Sequence, residues 1–219
     1  GEQIPEGRWS LDATGNLRNA TVRSIQAETL DGSLAASGEV IWSPALSWDA
    51  ELRLDALDLD QQWPGAATAV SGDVRTSGSL GAEGLGLEAA VPGVEGRLQG
   101  ETVAVSGAVR RPAGGAWQVD RLRLRAAGGD LTASGRVGAE TLDLAGAVDF
   151  PDLGGLVPAA GGRLSGDFSA SGALQRPDVE LDLEGGDLAW ESLGRIGTLN
   201  LTARVAELGH GNSRLDVRL

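Results

Sequence analysis

Strict alternation of apolar and polar residues recurs along this 219-residue chain and limits what it can fold into. Leu52 and Leu54 alternate with Glu51 and Arg53, and residues 142–150 repeat the pattern. Consecutive side chains of an extended strand point to opposite faces, so a period of two gives one apolar and one wet face. We find no convincing stretch with the 3.6-residue period of a helix. The alternation therefore predicts an all-β fold.

Short glycine-rich dipeptides separate the alternating segments, and such connections join antiparallel strands. They are Asp31-Gly32, Pro92-Gly93, Gly114-Gly115, Gly128-Gly129, Gly161-Gly162 and Gly185-Gly186. The only helix-like segment is 153–160, where Gly154, Gly155 and Pro158 limit a helix to one turn. The spacing predicts about sixteen to eighteen strands in a mostly antiparallel sheet.

Two sequence motifs recur about 95 residues apart. "DGSLAASGEV" at 31–40 returns as "GGDLTASGRV" at 128–137, and "AVSGDVRTSGSL" at 69–80 returns as "RLSGDFSASGAL" at 163–174. Self-similarity on this scale is typical of elongated repeat architectures.

We therefore predict that residues 1–219 form a single elongated β-repeat segment. Its approximate copies are 22–120 and 121–219, the second of them incomplete. The chain lacks an initiating Met and stops within an alternating run, so we expect it to be a fragment of a longer protein.

Composition excludes several classes of function. The chain has a net charge of −13, no Cys and one His, and all 18 of its basic residues are Arg. Without Cys there is no disulfide framework, thiol nucleophile or cysteine zinc site. The acidity argues against nucleic-acid binding, which needs clustered cations, and against adhesion to anionic lipid surfaces. We see no signal peptide or membrane-spanning stretch.

No residue pattern points to catalysis, a metal or a cofactor. Asp55, Asp58 and Asp60 lack the spacing of a calcium loop. "GLGLEA" at 84–89 half-fits a dinucleotide fingerprint, but its alternation indicates a strand, whereas the fingerprint opens a helix. His210 lies between glycines in an expected turn. Glu180, Asp182 and Glu184 share the wet face of one strand, where we expect solvated carboxylates. We predict that the protein is not an enzyme.

The apolar face of such a sheet needs a cover, because no helix is predicted and aromatic residues make up only 4% of the chain. Small residues on that face leave room there, and large exposed apolar patches normally mark binding surfaces. A curled sheet with an apolar internal groove satisfies both observations. The candidate groove-lining residues are Trp48, Leu52, Leu54, Val105, Val109, Leu122, Leu124, Leu142, Leu144, Val148, Phe150, Phe168, Leu181, Leu183, Leu199 and Leu201.

The order of these features resembles the repeats of the TamB family, within the wider AsmA-like group of bridge-like lipid-transfer proteins. The segment "DFPDLGGLVPAAGGRLSGDFSASGALQRPDVELDLEGGDLAW" at 149–190 carries the pattern, followed by a strand at 196–205. The pattern is an apolar-Asp-apolar strand, a Leu/Pro/Gly connector, "LSGxxxxSGxL", and a Pro before the next strand. Residues 52–80 match it too, without the Pro.

The resemblance implies a taco-like curled sheet whose groove binds phospholipid acyl chains. It also implies an internal periplasmic segment of a protein anchored in the inner membrane of a Gram-negative bacterium. Such a protein would carry phospholipid between the inner and outer membranes, and support outer-membrane biogenesis and protein assembly and secretion. It would work with a TamA-like outer-membrane partner through the full-length protein. Membrane contact would occur only through parts of the chain absent here.

Three alternatives remain open from the sequence. The apolar residues could form the core of a closed sandwich. The chain could instead be a dry structural or adhesive β-solenoid, although solenoid coils usually repeat every ~20–30 residues. Within the same family, the sheet could act as a chaperone that templates outer-membrane strands along an open edge.

Overall fold

The structure is a computed structural model that describes residues 7–98, 100–126, 128–155, 160–190, 194–206 and 214–218. These residues form fourteen strands and two single-turn 3₁₀ helices, and none of them lies in an α-helix. The chain divides into two compact units, unit 1 over Gly1–Gly115 and unit 2 over Ala116–Leu219. Because the described residues form strands and no α-helix, the all-β prediction is confirmed.

Unit 1 contains seven strands and one 3₁₀ helix. They are β1 (Gly7–Gly15), β2 (Asn19–Thr29), β3 (Gly32–Ile41), β4 (Leu46–Leu57), η1 (Leu59–Gln61), β5 (Thr68–Gly81), β6 (Gly84–Leu98) and β7 (Glu101–Arg111). The described residues of unit 2 also form seven strands and one 3₁₀ helix. Its elements are β8 (Trp117–Ala126), β9 (Gly129–Val137), β10 (Thr141–Phe150), η2 (Leu153–Gly155), β11 (Ala160–Ala173), β12 (Arg176–Trp190), β13 (Gly194–Ala206) and β14 (Arg214–Arg218).

In each unit the strands pair antiparallel in chain order, as the short turns predict. The β2–β3 hairpin shows why. Thr29 pairs with Gly32 across a two-residue turn, in which Leu30 and Asp31 both take left-handed conformations with φ of 52° and 55°. This conformation at both central residues matches the right-handed twist of the flanking strands.

Three of the predicted turns lie inside strands instead. Pro92-Gly93 falls within β6, Gly161-Gly162 within β11 and Gly185-Gly186 within β12. The register shifts between Val91 and Val94 and between Gly161 and Arg163, so two of these sites are β-bulges. A bulge accommodates proline, which has no N–H for the ladder, and glycine with positive φ. The described strands are therefore longer and fewer than sixteen.

The internal repeat corresponds to repeated elements. The motif at 31–40 overlaps β3, and the motif at 128–137 overlaps β9. The motifs at 69–80 and 163–174 overlap β5 and β11. Between them, β4–η1 corresponds to β10–η2. The single helical turn expected within 153–160 is present as η2, and residues 156–159 lie outside the described part.

The Ser-Gly pairs of the repeat have a backbone explanation. Gly135 and Gly166 take φ of 143° and 149°, which side-chain-bearing residues rarely adopt. A Cβ atom on Gly135 would overlap the Asp143 carbonyl of the next strand, and one on Gly166 would overlap the Asp182 carbonyl. These glycines therefore allow the neighbouring strand to approach closely. The Ser-Gly motif thus has a structural role in the sheet.

The described strands of each unit form an open, curled array, which excludes a closed sandwich within either unit. Among the described residues, strands contact their neighbours in the chain and the first strand of each unit does not pair with the last. Register shifts in several strands, such as that between Val119 and Leu122, bend the sheet and increase its twist. No large side chain within the described part is fully buried.

Most of the few buried apolar residues lie at one end of the strands, and Ala203, within β13, is an exception. We define the connector end of each unit as the end where η1 or η2 joins two strands, and the hairpin end as the opposite one. Leu57 and Val70 are 5% and 6% exposed at the connector end of unit 1, and Ala126 and Phe150 are 8% and 9% exposed at that of unit 2. Packing is therefore densest beside the connectors.

Gly166→Ala should lower the free energy of unfolding by about 2 kcal/mol or more, because it adds backbone strain and a clash with β12. Urea unfolding followed by circular dichroism measures the change. Gly197→Ala is the control, since no atom lies within 4 Å of its added Cβ, and it should change stability by less than about 0.5 kcal/mol. Equal losses would refute the close-approach explanation.

Phe150→Ala should cost about 3 kcal/mol, because the ring is buried against Gly129 at the connector end. Leu174→Ala at the hairpin end, where the side chain is 42% exposed, should cost less than about 1 kcal/mol. Thermal unfolding of the two variants provides the comparison. A larger loss from Leu174→Ala would contradict a core located at the connectors.

Candidate functional site: the apolar sheet face

All the predicted groove-lining residues of unit 1 lie on one face of its sheet. Residues that pair directly across antiparallel strands point to the same side. Leu54 pairs with Gly72, Gly72 with Val94 and Val94 with Val105. The same tracing places the remaining members on this face, namely Trp48, Leu52 and Val109.

The predicted residues of unit 2 also share one face. Across its strands, Leu122 pairs with Ala133, Ala133 with Gly146, Gly146 with Phe168 and Phe168 with Leu181. The same tracing places the others on this face: Leu124, Leu142, Leu144, Val148, Phe150, Leu183, Leu199 and Leu201.

We call these surfaces the apolar faces of units 1 and 2. Most of their large side chains are half-buried, and Leu122 is 37% exposed, because neighbours on the same face shield them while no second layer covers them. Phe150 is the exception, since its ring lies against Gly129. Each apolar face is thus accessible to an apolar ligand.

Sequence reasoning missed part of the apolar faces. Cross-strand pairing adds Val22, Ile25, Leu34, Val40, Val74, Val94, Leu131 and Val179. In "LAASGEV" of β3, Ala and Gly replace larger apolar residues at the facing positions, so the alternation is weak there. The signal was present but was carried by small residues.

Trp48 is the largest side chain on the apolar face of unit 1. Its indole lies where a Cβ of Gly78 would be, and its Nε1 donates a 3.3 Å hydrogen bond to the hydroxyl of Thr76. The position that corresponds to Trp48 in unit 2 is Leu142. The hydrogen bond fixes the indole flat against β5.

Ion pairs between residues of neighbouring strands lie on the other face, which we call the polar face. Arg53 pairs with Asp73 at 2.9 Å, and Arg123 pairs with Asp130 at 2.6 Å. The hydrogen bond from Arg123 holds the pKa of Asp130 below its usual value, with Arg125 adding to the effect. These groups are exposed, so each pair adds little stability. Their main effect is to keep this face wetted.

The largest depression that we describe, of about 710 Å³, lies on the polar face of unit 2. Its lining takes consecutive residues from each of five strands, and the outer ones, such as Asp167 and Ser169, belong to the polar face. The corresponding depression of unit 1 has a volume of about 320 Å³ and is lined by the paired Arg53 and Glu51, whereas unit 2 has Ala147 and Ala145 there. The shorter side chains leave more room in unit 2.

The acidic residues noted in the sequence have local structural roles. The Asp58 carboxylate accepts a hydrogen bond from the Asp60 amide, and the Asp60 carboxylate accepts one from Gly65, so both shape the connector. Glu180 forms an ion pair with Arg204 at 3.2 Å. Among the residues that the structure describes, no group of three or more His, Cys, Asp or Glu could hold a metal ion.

Two further features noted in the sequence are the "GLGLEA" segment and His210. The "GLGLEA" segment begins β6 and is a strand, as its alternation predicts. His210 lies outside the described residues. Within the described ranges, no helix is long and apolar enough to cross a lipid bilayer.

Comparison with known proteins agrees with the repeat pattern. A family model described as "TamB, N-terminal domain" matches residues 1–219. The chain is similar to the translocation and assembly module subunit TamB of Haemophilus influenzae, with 26% identity over 185 residues. That alignment covers 84% of this chain and 14% of the relative, so the chain spans a small part of its relative's length. No solved structure matches. Since the family model covers the whole sequence, this chain belongs to the TamB N-terminal domain family.

Proposed function

We propose that the apolar face of each unit binds phospholipid acyl chains, and that the protein carrying this segment moves phospholipid between the inner and outer membranes. The observation that carries the proposal is the open apolar face, whose Leu, Val and Phe side chains are half-buried beneath no second layer. An apolar surface of this kind needs an occupant. Family membership favours phospholipid as that occupant.

The chemistry of the face suits transport better than tight binding. Each buried methylene contributes about 0.8 kcal/mol, so acyl chains are held by many similar contacts. In unit 2, Leu124, Leu131 and Val148 present similar apolar surfaces on three successive strands. A chain that moves along such a face exchanges equivalent contacts, so the barrier to sliding stays low. No residue needs to perform chemistry, and the proposed function is not enzymatic.

The proposed location is the periplasm, within a protein anchored in the inner membrane of a Gram-negative bacterium. The relative from Haemophilus influenzae bears the name of a translocation and assembly module subunit, which supports a role in such a module. We expect a TamA-like outer-membrane partner to bind the full-length protein. Through this route the segment supports outer-membrane biogenesis and protein secretion.

A second candidate function is a template for outer-membrane strands. In that function an incoming strand would add to a sheet edge through backbone hydrogen bonds. The dry β-solenoid is disfavoured, because neighbouring strands in each unit are antiparallel hairpins and the interior is not closed.

Leu144→Arg combined with Val148→Glu should abolish phospholipid passage. Both side chains lie on the apolar face of unit 2, and charges placed there must stay hydrated, which brings water among the acyl chains. We expect bound phospholipid in the full-length protein to fall about tenfold, since roughly 1.4 kcal/mol of lost contact has that effect. Complementation of an outer-membrane permeability defect measures passage, and circular dichroism confirms folding.

The matched control is Ala147→Arg combined with Ala145→Glu on the polar face of the same strand. These changes reproduce the charges of Arg53 and Glu51 in unit 1, and the new Arg faces Asp167. Passage should be unaffected. Equal loss from both double variants, or loss from neither, would show that the apolar face is not the working surface. If the apolar-face variant kept phospholipid passage and lost only the addition of incoming outer-membrane strands, the template function would be favoured.

A further inference from the structure

Large apolar side chains of unit 1 are exposed at the hairpin end. Leu46 and Leu80 pair directly across β4 and β5, and they are 38% and 49% exposed, whereas Leu57 and Val70 at the connector end are buried. Near the connector end the exposed apolar residues include Trp63, on the connector itself, Leu98, at the end of β6, and Trp9, which pairs with Ala27. The connector therefore shields part of one border of the face, while the border at the hairpin end is open.

Two turns meet at this open border. Leu17 and Arg18 lie in the β1–β2 turn, and Trp42 follows β3 in the next turn. The Trp42 amide and the Trp42 indole Nε1 donate hydrogen bonds of 2.9 Å to the carbonyls of Arg18 and Leu17. The indole is nevertheless 45% exposed, and Leu17 is 93% exposed. We call Leu17, Arg18 and Trp42 the rim cluster.

The rim cluster combines the chemistry of a membrane interface. An indole tied to a backbone carbonyl presents an apolar ring with a polar edge, as interfacial tryptophans do. Arg18, whose carbonyl accepts the hydrogen bond of the Trp42 amide, is exposed and forms no ion pair within the described part of the chain. Arginine binds phosphate oxygens through paired N–H donors. An exposed cation next to an aliphatic and an aromatic side chain is complementary to the junction of a phosphodiester headgroup and its acyl chains.

The second repeat shows that the sheet does not require this cluster. The turn of unit 2 that corresponds to the Trp42 turn consists of Gly138, Ala139 and Glu140. It joins β9 to β10 in the same antiparallel way with no aromatic residue. The exposed tryptophan of unit 1 is therefore not explained by strand pairing.

We propose that the rim cluster holds the phosphodiester headgroup of a phospholipid whose acyl chains lie on the apolar face of unit 1, and that lipid enters or leaves that face across the hairpin end. This inference rests on the proposed function. Arg18 contacts the phosphate oxygens, while Trp42 and Leu17 contact the glycerol and the first methylenes.

The test is site-specific photocrosslinking in the full-length protein, in cells grown with a radioactive phosphate label. p-Benzoylphenylalanine replaces Trp42 at the rim cluster, Trp63 as a somewhat more exposed tryptophan on the connector, or Leu144 on the apolar face of unit 2. We expect labelled phospholipid adducts at position 42 to exceed those at position 63 about fivefold. Arg18→Gln should lower the adduct at position 42, while Arg97→Gln, an exposed cation near the connector end, should leave it unchanged.

The outcomes separate the two proposals. Adducts at position 144 with none at position 42, or with equal amounts at positions 42 and 63, overturn the rim cluster and leave lipid binding intact. A protein adduct in place of lipid at position 42 also overturns it. Absence of lipid adducts at position 144 contradicts the proposed function and the rim cluster with it. An unchanged adduct at position 42 in Arg18→Gln overturns the role of the cation.

Discussion

Backbone pairing between neighbouring strands is the constraint on which each unit depends, because the described residues of a unit form no second layer over its own strands. Hydrogen-bonded ladders satisfy the backbone, but one face of every strand remains apolar and only partly shielded. The buried apolar residues are few, and those such as Leu57 and Phe150 gather beside the connectors. A sheet built this way leaves apolar surface available, and that availability is the physical basis of the proposed lipid binding.

The same constraint explains the repeat. Without a packed core to fix strand positions, close approach and twist must be set locally. Gly135 and Gly166 allow a neighbouring backbone to approach, and bulges such as that between Val91 and Val94 curl the sheet. Cross-strand ion pairs such as Arg53–Asp73 keep the polar face solvated and oppose register slips, since a slip would place like charges opposite each other.

Much of this architecture follows from the sequence. Period-two alternation predicts both that a segment is a strand and on which face of the sheet each side chain lies. The residues from Trp48 to Leu201 predicted for the groove do share a face within their units. The sequence did not distinguish a bulge from a turn at Pro92-Gly93, since the same residue types serve both. It also could not show the rim cluster, because Trp42 and Leu17 are 25 residues apart and meet only through hairpin pairing.

The central claim is that the open apolar faces hold phospholipid. Lipid extraction from the purified protein, followed by mass spectrometry, tests it most directly. The account predicts that phospholipid co-purifies and remains bound after a high-salt wash, because acyl burial is not screened by ions. Protein that is free of lipid after gentle purification from a Gram-negative host would contradict it. So would lipid that is removed by salt alone, which would indicate binding through headgroup charge.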